Sequence, residues 1–381
     1  WDLDEAAPDH PVILSHRSLH ACVLNSLALE LAGINRETPE PPGGRIERDL
    51  ATGEPNGILI GMLGHIRSGV MPQFSGVELD EGLALADRLF LSMGITSVQD
   101  ATVSNGLDRW ETVCRFVLDR RLRSRVTMMA GAPHWKNFQE RGLKIGSGDN
   151  LMQLGAVKFV LEIRPEQDEL NNLVLECHRE GWQIAFHAVA ESTVAAAVSA
   201  LEYADSHSPV KGRRHRIEHC AECPPYLLDR IKKLGAVIVT QPPFIYYNGE
   251  RYLATVPESQ LPWLYRIKSP MEKGVIVAGS SDAPVAPVNP LVGIYAAVTR
   301  RAESGQLLLP EEKISVEQAL ALYTVNAAYA SFEEKIKGSL TPGRLADMVV
   351  LNKDPVQIPP EEIKDIKVDM TIIGGEVVWE A

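Results

Sequence analysis

GAVKFVLEIRPEQDELNNLVLECHREGWQIAFHAV, residues 155–189, sets two short β-branched and aromatic runs on either side of an amphipathic stretch at 168–179. Strand, helix and a second strand make a βαβ unit, and such units build a parallel sheet. The alternation continues in both directions. Upstream lie GITSVQDA (94–101) and RVTMMAG (125–131), with helical patterns at 83–93 and 108–120. Downstream lie RHRIEHC (214–220), GAVIVTQP (235–242) and GVIVAGSSDAP (274–284), with helical patterns at 191–203 and 226–234. A last helical stretch, 316–331, fits the helix that closes a barrel. Seven strands in this order predict an α/β fold, a (β/α)8 TIM-type barrel one strand short.

The flanks read differently. Residues 1–61 are rich in Pro and Gly, with one apolar run at 12–14, one helix at 24–31, and turn signals PPGG (41–44) and TGEPNG (52–57). They predict a small satellite, followed by the barrel over 62–332. Residues 333–381 read as short strands with Gly/Pro turns, the C-terminal part of a composite, β-sandwich-like domain. The chain opens Trp1-Asp2-Leu3-Asp4-Glu5, without an initiator Met, and reads like the middle of a longer protein.

Composition narrows the function. The 381 residues are 45% hydrophobic and 23% charged, which excludes disorder, collagen and coiled coil as the main architecture. A net charge of −12 argues against nucleic acid and anionic membrane as partners. No run approaches ~20 apolar residues, so no membrane-spanning helix is expected. Five cysteines make no disulfide framework, and a reducing, cytoplasmic setting is expected. The partner expected is a small-molecule substrate, with a homo-oligomer left open.

In such a barrel, catalytic groups belong at the C-terminal ends of the strands. Lys158 lies in GAVKFVL, His187 ends WQIAFH, His219 ends RHRIEH and Asp282 ends VAGSSD. Each has an ordinary reading by itself. A histidine at a strand end is commonly capped or solvated, and Asp282 before Ala-Pro can start a turn. A lysine inside an apolar strand is costly unless paired or modified. Four such residues on four strand ends point together to a divalent metal site. Zinc, which favours imidazole and carboxylate and keeps a position for water, is the expected ion.

The order Lys158, His187, His219, Asp282 resembles the metal-dependent amidohydrolase superfamily. The surrounding sequence is similar to its N-substituted formamide deformylase-like branch over nearly the whole chain. The matching stretches include DHPVILSHRSLHACVLNSLALELAGI (9–34), GEPNGIL (53–59), GSSDAPVAPVNPLVGIYAAVTRR (279–301), SVEQALALYTVNAA (315–328) and GSLTPGRLADMVVLNKDP (338–355). The resemblance implies a first strand ending in His-x-His. His10, His16 and His20 are the only early histidines, and none is so spaced. The expectation is therefore a chain lacking that strand, with a gap between 94–101 and 274–284. The family loop with Asp-Gly after the lysine strand is replaced by a near-direct entry into a helix, and Gly61 stands where relatives commonly carry Glu.

The resemblance implies hydrolysis of C–N bonds of amide or formamide type. Asp282 acts as general base and then acid, His219 with the metal polarises the carbonyl, and Lys158, if carboxylated, bridges two ions. One or two ions are implied for an intact relative, and none or one for this chain. His20 and Asn25 match a His-Ala…Asn-Ser stretch and are candidate substrate contacts, beside a plain turn network. His134, Tyr246 and Tyr247 follow strands on the catalytic face and are further candidates. Glu162, four residues past Lys158, is an alternative ligand. Cys220-Ala-Glu-Cys223 reads as a buried thiol pair rather than a second zinc site. Parity along RHRIEH points His215 inward with His219. The rival readings are a Schiff-base lyase using Lys158, and an impaired barrel that binds ligand without turnover.

Overall fold

The computed structural model describes residues 2–381 apart from 17–19, 42, 73 and 162–165. The chain forms two units, Trp1–Leu79 and Asp80–Ala381.

In the first unit, β1 (Ile13–Ser15), β2 (Ala21–Leu24), β3 (Arg45–Arg48) and β4 (Pro55–Ile60) form an antiparallel sheet in the order β1-β2-β4-β3. Cys22, Leu24, Ile46, Leu59, Met62 and Ile66 form its small core. The helix expected over 24–31 is Ser26–Leu31, capped by Asn25. Gly61 has φ +68°, and a Cβ there would lie 2.3 Å from the Gly43 carbonyl oxygen. The position admits only glycine, which explains the departure noted above.

The second unit carries all seven expected strands: β5 (Ser97–Asp100), β6 (Arg125–Gly131), β7 (Met152–Val160), β8 (Ile184–Ala188), β9 (Arg216–His219), β10 (Val237–Thr240) and β11 (Val277–Gly279). They form one parallel sheet in chain order. Strands β9 and β10 are buried throughout, as expected of parallel strands covered on both faces. The sheet is curled: Arg216 on β9 reaches the side chain of Gln99 on β5, four strands away in the order. Strands β5 and β11 are its edges, and among the described residues no strand lies between them.

Helices Gln167–Arg179 and Glu191–His207 cover the outer face, burying Leu170, Val174, Val194, Val198 and Leu201. The expected helix at 316–331 is two helices, Val316–Tyr323 and Val325–Ala330, broken at Thr324. Tyr323 packs into the space left by Gly279 and Gly293, and Asn326 donates to the Val277 carbonyl at 2.8 Å. Both halves are thereby tied to β11 and its neighbours, at the expense of helical continuity.

Helix Val325–Ala330 and the segment after it are also tied to the parallel sheet. Gln99 donates to Ala327 O, Gln183 to Ala330 O, and Thr127 to the buried Glu333. β12 (Met348–Leu351), β13 (Val368–Ile373) and β14 (Glu376–Glu380) form a second small antiparallel sheet. A buried Arg125–Asp347 pair at 2.7 and 2.9 Å ties this segment to β6. The satellites are thus two small antiparallel sheets, and the barrel is represented by a curled seven-stranded sheet. Among the described residues no helix is long and apolar enough to cross a membrane.

Candidate active site

Register places His187 of β8 beside Glu218 of β9, and Ala188 beside His219. Alternation puts Arg216 and Glu218 on one face of β9, and Ile217 with His219 on the other. The inner face belongs to the first pair. Arg216 grips Glu218 at 2.7 and 3.1 Å, and both are buried. By parity alone His219 would point outward. It does not, because His219 at φ +70° and Cys220 at φ +50° both turn left-handed at the strand end. This backbone is unfavourable for residues with a Cβ, and it re-aims the ring. His219 Nε2 then lies 2.9 Å from His187 Nδ1, with ring centroids 4.3 Å apart.

The same geometry corrects the expectation for His215. Its ring faces the helices, with Nε2 2.9 Å from Nδ1 of His178 and Nδ1 accepting the Ile184 N–H at 3.0 Å. The residues that face inward on β9 are Arg216 and Glu218, which the sequence reading did not select. The Arg-x-Glu alternation was the available signal.

Lys158 is 4% exposed, on β7. Burial pulls its amine below the ordinary lysine value; the Glu218 carboxylate opposes this, Arg216 adds to it, and Asp282 again opposes it. Lys158, Glu218, Arg216 and Asp282 therefore share one electrostatic environment. Asp282 lies three residues past β11 with φ +56°, again left-handed. Asp282 also adds to the upward pressure that burial and Tyr252 place on the phenol of Tyr265. Phe244 stacks on His219 at 6.4 Å and meets Tyr265 edge-on at 5.9 Å, so an aromatic wall adjoins the imidazoles.

The remaining candidates are spread out. His134 precedes helix Trp135–Glu140, beyond β6, with its N–H on Gly131 O at 2.8 Å. Tyr246 and Tyr247 lie in helix Pro243–Thr255, beyond β10, ring against ring at 5.0 Å, with Tyr246 also on Tyr295 at 5.7 Å. Burial raises both phenols above the ordinary tyrosine value. His20 and Asn25 belong to the first unit. His20 is exposed, and its carbonyl accepts from Gly61. The Asn25 amide accepts from Val12 and Ala28 and donates to His10 O and Ala7 O, a turn network. Glu162 lies outside the described residues. Among the described residues no three His, Cys, Asp or Glu side chains gather closely enough to hold a metal ion.

A family model described as the amidohydrolase family matches residues 1–379. The chain belongs to that family. It is 28% identical over 413 residues to the N-substituted formamide deformylase of Arthrobacter pascens, spanning all of this chain and 75% of that one. It is 26% identical over 425 residues to YtcJ of Bacillus subtilis, spanning all of this chain and 76% of that protein. Among solved structures, an uncharacterized metal-dependent hydrolase from Pyrococcus furiosus superposes with a TM-score of 0.72 at 25% identity, covering 93% of this chain and 75% of the other.

Proposed function

We propose that this protein is a metal-dependent hydrolase of C–N bonds of amide or formamide type, acting on a small-molecule substrate. The observation that carries the reading is the His187–His219 approach at 2.9 Å, on the ends of adjacent parallel strands. Two nitrogens bound to one tetrahedral zinc ion at about 2.1 Å each stand about 3.4 Å apart, so the rings need to part by about half an ångström to share an ion. The pair therefore fits two positions of a divalent ion's shell. Family membership and resemblance to metal-dependent hydrolases support the same reading. Asp282 is the proposed third ligand, and Lys158, once carboxylated, a fourth. Zinc is the proposed ion because imidazole with carboxylate suits it.

When bound, the ion supplies Lewis acidity, lowering the pKa of water and polarising the substrate carbonyl. The chain's own residues supply the rest. Asp282 takes the proton of the attacking water at its carboxylate and delivers it to the leaving nitrogen. His219 adds a polarised N–H or a ligand nitrogen beside the carbonyl oxygen. Phe244 and Tyr265 form a wall that excludes water from one side.

Elemental analysis after equilibration with zinc, beside a panel of N-substituted formamides and acetamides, tests this. The expected result is bound zinc that His187→Ala and His219→Ala lose, and amide hydrolysis that Asp282→Asn abolishes. Hydrolysis undiminished in Asp282→Asn, or zinc retained in both histidine variants, would refute it.

A further inference from the structure

Glu218 has no part in the reaction proposed above, although it stands beside His187. We infer that Glu218 is a metal ligand held in reserve, and that Arg216 is the positioning residue that keeps its carboxylate off the ion. The inference rests on the metal-site reading of His187 and His219.

His187 and Glu218 are register partners on the adjacent parallel strands β8 and β9. Such strands run about 4.8 Å apart, and register partners project from the same face of the sheet. The Glu218 carboxylate is therefore an immediate neighbour of the His187 ring. It is 5% exposed, too buried for solvent alone to stabilise it. A carboxylate at that depth needs a cation and hydrogen bonds. A divalent ion on His187 and His219 would attract it, because carboxylate oxygen is an ordinary zinc ligand.

Arg216 takes it instead. Its Nε donates to one Glu218 oxygen at 2.7 Å and its Nη2 to the other at 3.1 Å, a two-point grip that engages both oxygens. The planar guanidinium fork matches a carboxylate in a way that a lysine ammonium does not. Arg216 is buried as well, and it is fixed from its far side. Nη1 donates to Gln99 Oε1 on β5, and Gln99 Nε2 donates to Ala327 O at 3.1 Å. Gln99 is thereby held with its oxygen toward Arg216. The register partner of Arg216 on β8 is Ala185, whose small side chain leaves room for the guanidinium inside the curled sheet.

The consequence is an open position on the ion. A catalytic zinc ion keeps one position for water. A further carboxylate would fill that position and weaken the ion as a Lewis acid. The grip of Arg216 prevents this while leaving His187 unobstructed.

Zinc affinity, measured by dialysis against a competing chelator, and steady-state amide hydrolysis test the inference in the parent chain, Arg216→Gln, Glu218→Gln and the double variant. Arg216→Gln is expected to bind zinc about tenfold more tightly, the scale of one contact next to a metal site, and to lose about tenfold in kcat. Glu218→Gln keeps an acceptor for Arg216 and should bind zinc as the parent does, and so should the double variant. Arg216→Lys keeps the charge without the fork. A shift in the same direction there excludes a plain charge effect and serves if Arg216→Gln does not fold. Diffraction at the zinc edge from the tighter-binding variant should place a Glu218 oxygen about 2.1 Å from the ion. A merely structural Arg216 would lower affinity and kcat together. Unchanged or weaker zinc binding in the folded Arg216 variants would overturn the inference, as would tighter binding with Glu218 away from the ion. If the parent chain binds no zinc, the metal-site reading fails and this inference with it. If the parent binds zinc through His187 and His219 and the Arg216 variants do not tighten it, only this inference fails.

Discussion

Two histidine pairs in this protein share one nitrogen–nitrogen distance and differ in what surrounds them. His178 and His215 approach at 2.9 Å, and so do His187 and His219. In the first pair every nitrogen has a protein partner. His215 Nδ1 accepts the Ile184 N–H, so its Nε2 carries the proton and donates to His178 Nδ1, and His178 Nε2 donates to Ser208 O at 2.7 Å. His215 stands just before β9, after the left-handed Arg214, and both rings are buried, with helix Gln167–Arg179 supplying His178. In the second pair His219 stands on left-handed backbone, and His187 lies in register beside the inward carboxylate of Glu218. A close imidazole pair is therefore not by itself a site. What the surroundings ask of the rings, fixed neutrality in one case and convergence toward a shared ligand in the other, separates structure from chemistry.

Mutation should pull the pairs apart. His187→Ala or His219→Ala is expected to lower kcat/KM by about a thousandfold or more, the scale of a removed acid–base or metal-ligating group, with little loss of stability. Steady-state kinetics with a thermal melt checks both halves. His215→Ala is expected to do the reverse. It leaves the Ile184 N–H and His178 Nδ1 without partners and opens a cavity, costing about 3 kcal/mol of stability. Turnover per folded molecule should be unchanged, as read from denaturant midpoints and active-site titration. An equal effect of both substitutions on turnover would erase the distinction.

Acid sharpens the same comparison. Burial, then the neighbouring His178 and Arg213, lower His215 to about 3. Its folded-state value lies below its unfolded value, so below pH ~6.5 the unfolded chain binds a proton the folded chain refuses. The stabilisation is complete above pH ~6.5 and is lost as pH falls toward about 3, by up to ~1.4 kcal/mol per pH unit. Urea midpoints across this window should flatten in His215→Gln relative to the parent chain. The smallest effect is expected at Tyr246, which packs on Tyr247 and Tyr295. Tyr246→Phe should change KM by less than about fivefold, or ~1 kcal/mol, if the phenol contacts substrate, and not at all if it only packs.

The order of elements was legible because parallel strands buried on both faces read as continuous apolar runs between amphipathic helices. All seven strands lie where the runs predict them. The site was legible only as a set of strand ends. Which face each residue takes was not, because period-two alternation assumes regular backbone, and His219 and Asp282 leave it. For the same reason His215 was misplaced and Arg216 with Glu218 were passed over. Long-range ties, such as Gln99 to Ala327 or Arg125 to Asp347, leave no local pattern to read.

The central claim is that His187 and His219 together hold the metal ion. The most direct measurement is anomalous diffraction at the zinc edge from crystals of the zinc-equilibrated chain. The account predicts one peak about 2.1 Å from a nitrogen of each imidazole, with their mutual hydrogen bond replaced and Asp282 turned toward the ion. Zinc ordered elsewhere while the two rings stay hydrogen-bonded to each other would contradict it.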